Sequence, residues 1–213
     1  MPFRGTNAEA GQQSNTGTPR FLGFQEVALT DVVDKSDKYP NMDLMIDLYF
    51  RNSNSEYPYI YTLMGTFNKD GQGNIVGDDS LLKRVLYLCD ALGFSGGVDK
   101  EGNWVDADDK KIDDIAGYLN LNYADTSYNP EKDKGEEKYY IFVYKKFVEK
   151  SNKAYTTVCP KIVKNETGEK LDLQSYVEWM KNNKFIVEHD ESASKSVNVD
   201  VATAEGQSTF AKF

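Results

Sequence analysis

Seven lysines and six aromatic residues share the 27 positions from Lys138 to Lys164, and Glu149 is the one acid among them. The rings are Tyr139, Tyr140, Phe142, Tyr144, Phe147 and Tyr155, threaded between lysines such as Lys145, Lys146, Lys150 and Lys153. Seven lysines less one glutamate give this segment +6 within a chain of net charge -9, so the remainder sums to -15. Ammonium groups that track phosphates, beside flat rings that accept bases, are what sequence-tolerant binding of a single strand requires. The same composition also makes ordinary strands, since aromatic and β-branched residues favour pleated backbone and lysines decorate wet faces.

Other chemistry is poorly supplied. Cys89, Cys159 and His189 cannot assemble a Cys/His zinc site within one chain. Each cysteine lies in an apolar pattern and reads as a small buried hydrophobe, while His189 sits in the polar stretch Glu-His-Asp-Glu-Ser, a poor setting for a general base. Gly71, Gly73 and Gly77 lack both the G-K-S/T sequel and the G-x-G-x-x-G spacing of phosphate loops, so they read as turn glycines. Asp106, Asp108, Asp109, Asp113 and Asp114 do not follow the EF-hand order and read as a solvated loop. No nucleophile paired with a base is legible, so no catalytic residue, metal or cofactor is expected, and the chain is read as a non-enzyme. No segment approaches the length of a membrane span and the first 20 residues lack a signal-peptide core, which leads to the expectation of a soluble, intracellular protein. In that setting a disulfide is disfavoured and the sequon Asn165-Glu166-Thr167 is silent.

The elements that must position the cationic segment follow from periodicity. Residues 21–33 form a first strand, and Met42, Leu44, Ile46, Leu48 and Phe50 alternate with Asp43, Met45, Asp47 and Tyr49 as a half-buried second. Residues 57–67 are a third strand, dense in aromatics. Asp78, Asp79 and Ser80 offer N-caps to a helix whose stripe is Leu81, Leu82, Val85, Leu88, Cys89 and Leu92, ended by Gly93. An acidic loop spans 95–111, with Trp104 either a packing anchor or an exposed ring, and residues 115–124 alternate as a fourth strand. The cationic segment folds as a hairpin, 138–148 and 154–163, turning at Lys150-Ser151-Asn152. Leu173, Tyr176, Val177 and Met180 mark a closing helix over 171–183. The polar stretches 1–20 and 188–213 are expected to be disordered, flanking one domain over 21–187.

Three strands, an inserted helix, a fourth strand and a hairpin are the element order of a mainly β, five-stranded OB-fold, a Greek-key barrel, here with a C-terminal helix and flexible termini. GFQEVALTDVV, then NMDLMIDLYF, then TLMGTFNKDGQGNIVGDDSLLKRVLYLCDALGF resembles the OB-fold single-stranded-DNA-binding proteins of tailed phages, including the Leu92-Gly93 pair that ends the helix. The resemblance spans about residues 21–164. It implies coating of single-stranded DNA during phage replication, recombination or repair in the cytoplasm of the infected bacterial host. It also implies an acidic C-terminal tail that recruits replication or recombination proteins. Here the tail has five acids against two lysines and ends on Phe213, with Phe210 nearby, so these two rings are the candidate partner contacts.

Candidate nucleic-acid contacts follow from strand parity. Ile141 and Val143 share a face that should point inward, which turns Tyr140, Phe142, Tyr144 and Lys146 outward, with Tyr49, Arg51, Tyr59 and Tyr61 as outward candidates from strands two and three. Lys145, Lys150, Lys153 and Tyr155 complete the set. The competing expectation is that half of these tyrosines belong to the core, because a one-residue slip exchanges the faces. A virion structural or assembly protein without nucleic-acid activity is the alternative, and a second copy of the chain remains a candidate partner in either case.

Overall fold

The first strand, β1 (Gly23–Asp34), changes partners along its length, as the computed structural model of residues 21–148 and 153–186 describes it. Gly23 to Val27 pair antiparallel with β6 (Tyr139–Val148), whereas Ala28 to Asp34 pair with β2 (Leu44–Arg51), with an irregularity between Leu29 and Asp31. Irregularities of this kind sharpen local twist and let one strand serve two sheet directions. β3 (Tyr59–Gly65) continues the meander beyond β2, and β7 (Lys153–Val158) lies on the far side of β6. The order is therefore β3-β2-β1-β6-β7, and β8 (Val163–Lys164) makes a sixth strand against the start of β6. β7 and β8 occupy one edge of β6 and are separated at Pro160, which has no N–H to give a ladder. Among the described residues no ladder joins β3 to β7, so the sheet is not closed by strand pairing.

α1 (Ser80–Leu92) begins where Asp79 accepts a hydrogen bond from Leu82 N–H and ends at Gly93 in the left-handed conformation, as its N-cap and glycine signals require. It buries Leu81, Val85, Leu88 and Cys89 against the sheet. Trp104 is a packing anchor, buried against Phe94 at 6.4 Å between ring centroids.

The region 95–111 contains a small two-stranded sheet, β4 (Gly97–Val98) with β5 (Trp104–Val105), and its acids have a structural task. One turn recurs three times, at Asp70–Asn74, Asp99–Asn103 and Asp106–Lys110. In each, the leading aspartate N–H donates to the carbonyl four residues on, and its Oδ1 accepts N–H groups at the second and fourth following positions. The fourth residue of each turn has positive φ, which Gly73 and Gly102 take readily and Asp109 takes at 61°. Among the described residues no group of three or more His, Cys, Asp or Glu side chains could hold a metal ion.

Residues 115–124 are not a strand. They form α2 (Ile115–Tyr123), because Asp114 caps Gly117 N–H at 2.8 Å and the apolar positions Ile115 and Leu119, four apart, both reach the core. An alternation of short period also contains i, i+4 pairs, and the cap decides between them. α2 lies along the edge of β1 that β6 has left. There Asn120 acts as a substitute strand, accepting from Val32 N–H at 2.8 Å and donating to Val32 C=O at 2.7 Å.

α3 (Thr167–Asn182) begins four residues before the expected span. Its buried stripe, Leu173, Val177 and Met180, packs on the face of β6 turned away from the main core, where Phe142, Tyr144, Cys159, Val163 and Ile186 complete a second core. No helix among the described residues is long and apolar enough to cross a membrane. The expected disordered ends, His189, Phe210 and Phe213, and the turn Lys150-Ser151-Asn152 lie outside the described residues.

Candidate nucleic-acid interface

The distal half of the β6–β7 hairpin keeps the character read from its sequence. Lys146 stands directly opposite Tyr155, Lys145 opposite Thr156, and Val148 opposite Lys153. Residues opposite one another in an antiparallel pair share a face, so Lys146 and Tyr155 present an ammonium group and a ring side by side. Both are exposed and Lys145 is half-buried. The Lys150 side chain and that of Lys153 lie outside the described residues.

The proximal half differs from expectation. The parity holds: Tyr139, Ile141 and Val143 enter the main core, so Tyr140, Phe142 and Tyr144 turn away from it. Yet Phe142 is 3% exposed and Tyr144 7%, because α3 must bury its own apolar stripe and lies over them. They are core residues of a second layer, and not open stacking platforms. Tyr140 is half-buried, stacked with Phe24 at 5.5 Å and covered by the Lys170 ammonium 5.2 Å from its ring centroid. Lys170 also pairs with Glu26, whose carboxyl is held below its ordinary range, first by that hydrogen bond.

On β3 the expected outward face is inverted. Tyr59 stands opposite Phe50, Tyr61 opposite Leu48 and Leu63 opposite Ile46, so all three β3 residues share the core face with the aliphatics of β2. The signal was present, since Leu63 has the parity of both tyrosines. The outward set of this ribbon is instead Tyr49, Arg51, Ile60, Thr62 and Met64, with Tyr49 and Arg51 half-buried as their β2 parity requires. Asp47, on the same side, is buried between Lys35, with which it forms an ion pair, and Thr62, whose hydroxyl donates at 2.6 Å. Its hydrogen bond raises the Lys35 pKa.

A second aromatic surface had no counterpart in the sequence reading. Tyr87 of α1 meets Tyr176 of α3 edge to face at 5.9 Å, Tyr176 meets Trp179 at 6.1 Å, and Trp179 stacks with Phe185 at 5.4 Å and 30°. Lys161 lies over the first two rings, 5.5 Å from Tyr87 and 5.6 Å from Tyr176, and pairs with Asp172. Burial, with Cys159 and Tyr87 nearby, pushes the Tyr176 phenol up to about 12. Its members come from three parts of the chain, and only the i, i+3 spacing of Tyr176 and Trp179 is visible locally. Comparison of the chain with protein-family models, with curated proteins and with solved structures found no match in any of the three.

Proposed function

We propose that this chain is a single-stranded-DNA-binding protein of the kind that coats DNA during phage replication, recombination or repair, built on a five-stranded OB-type barrel and acting in the cytoplasm of an infected host. The observation that carries the reading is the exposed cross-strand pair Lys146–Tyr155 in a lysine-rich hairpin. Its ring offers a stacking face and its lysines phosphate contacts, while the acidic remainder of the chain is no obstacle because the local field at the contact surface governs the encounter. The barrel assignment is supported by the strand order β3-β2-β1-β6-β7, by the division of β1 between two partners, and by the hydrogen bond from Tyr61 Oη on β3 to Pro160 C=O beyond β7. The protein works by binding and not by catalysis, without metal or cofactor, and Phe210 and Phe213 are the proposed contacts for replication proteins. Gel mobility of labelled oligo-dT, measured at two salt concentrations, tests this. A shift that weakens with salt supports it; no shift at low salt overturns it in favour of a virion or assembly role.

A further inference from the structure

We infer that a single strand of nucleic acid also crosses α3, on the ladder Tyr87–Tyr176–Trp179–Phe185, a proposal that rests on the single-strand reading but not on the hairpin as the contact. Two of the four rings are left open by the fold, Trp179 at 52% and Phe185 at 62% exposure. Their arrangement is built. Lys184 holds φ at 61°, a position that glycine or asparagine usually takes after a helix. Phe185 N–H then donates to Met180 C=O at 2.9 Å and Ile186 is buried, so the chain turns back and Phe185 is laid on Trp179. The left-handed turn closes the helix and seats Ile186 in the second core, and the same turn leaves Phe185 exposed and stacked on Trp179.

The chemistry around these rings selects the occupant. From Trp179 to Phe185 the chain reads Trp-Met-Lys-Asn-Asn-Lys-Phe, two aromatics enclosing two lysines and no acid. Lys161 serves the inner end of the ladder, and Lys181 lies 4.7 Å from the Phe142 ring centroid. Phe142 in turn stacks with Tyr144, two residues before Lys146, so Lys181 of α3 reaches the strand that carries the exposed hairpin pair. Rings that can extend a stack, alternating with cations, suit bases and phosphates in succession.

The chain has two tryptophans, and Trp104 is only 7% exposed, so a ligand on the ladder is reported by Trp179 emission. The full-length protein is titrated with oligo-dU and, separately, oligo-rU, with gel mobility and tryptophan emission followed together. Emission is expected to change as the mobility shift saturates, and the oligomer that changes it at lower concentration identifies the sugar preferred. Trp179→Ala should weaken binding about 5- to 150-fold with little change in thermal midpoint, and Trp179→Phe should retain most of the affinity. A mobility shift with unchanged emission and wild-type affinity in Trp179→Ala overturns the ladder while leaving the hairpin reading intact; no shift at all overturns both. Binding unaffected in Trp179→Ala, with a dimer in sedimentation that the variant abolishes, assigns the surface to self-association and also overturns it.

Discussion

Tyr61 and Pro160, 99 residues apart in sequence, are joined by a 3.0 Å hydrogen bond in which the phenol Oη donates to the proline carbonyl. Tyr61 sits on the outermost strand of one side of the sheet, and Pro160 sits at the break between β7 and β8 on the other. Burial raises the phenol's pKa, and the Arg84 guanidinium, 5.8 Å from the ring centroid, opposes that rise in part. The group therefore stays protonated and remains a donor. A side chain thus ties β3 to the segment that follows β7, where no backbone ladder joins the two strands among the described residues.

Tyr61→Phe should destabilise the protein by about 1 kcal/mol, since the ring is kept while one hydrogen bond is lost and a carbonyl loses its partner. Urea unfolding should show a lower midpoint with unchanged slope. An unchanged midpoint would mean that the two sheet ends are held together by packing alone.

Phe142→Ala should cost about 3–5 kcal/mol, the usual range for emptying a buried aromatic site, because its ring fills the layer between β6 and α3. Tyr155→Ala, at a ring 45% exposed, should change stability by less than about 0.5 kcal/mol and weaken oligo-dT binding by about 1–3 kcal/mol. Thermal unfolding and mobility shift of the two variants separate the roles. A stable Phe142→Ala protein would contradict the second core.

Parity was legible wherever one face is plainly aliphatic: Leu44, Ile46, Leu48 and Phe50 on β2, and Ile141 and Val143 on β6, are all buried as expected. It failed on β3, where tyrosines rather than aliphatics fill the core face, and tyrosine is at home both in cores and on wet strands. Exposure failed on Phe142 and Tyr144 for a different reason. Strand parity says which way a side chain points, but not what later element will cover it, and the cover comes from α3, about 30 residues downstream. The ladder on α3 was illegible for the same cause. Tyr87 and Tyr176 meet because α1 and α3 both pack against β8.

Replacing Lys145, Lys146, Lys150 and Lys153 by glutamine should flatten the dependence of log affinity on log salt by about 0.7 for each phosphate contact removed. Oligo-dT titrations across a salt series measure this. An unchanged slope with lowered affinity would make the hairpin a stacking surface without phosphate contacts, and an unchanged affinity would move the strand elsewhere.

Asn120→Ala should cost about 1–3 kcal/mol, because Val32 N–H and C=O both lose their partner at a sheet edge that α2 covers. Asn120→Asp is a sharper probe. The carboxylate can accept from Val32 N–H but cannot donate to its carbonyl, so this variant should recover only part of the loss. An aspartate variant no more stable than the alanine variant would mean that repulsion between the carboxylate and the Val32 carbonyl offsets the N–H bond it keeps.

Two of the aspartate turns, led by Asp70 and Asp99, should give the fold an acid limit. The Asp70 carboxyl is held below its ordinary value of 3.8, first by the backbone N–H of Asn74 and then by that of Gln72. At Asp99 partial burial pushes the other way, but hydrogen bonds from the Asn103 side chain and from the backbone of Asn103, Glu101 and Gly102 outweigh it, so its pKa is also lowered. A carboxylate whose folded pKa is depressed stabilises the fold above its unfolded pKa, and that contribution is lost as pH falls through the folded value. These two turns should therefore remain closed at pH 5 and open below about pH 4, where the unfolded carboxyl begins to take up its proton. Amide chemical shifts of Gly73 and Gly102, each a donor inside its turn, should report midpoints below 3.8. Asp99→Asn should remove the Gly102 transition while leaving that of Gly73 in place. Midpoints at or above the ordinary aspartate value would show that the backbone N–H groups do not stabilise these carboxylates.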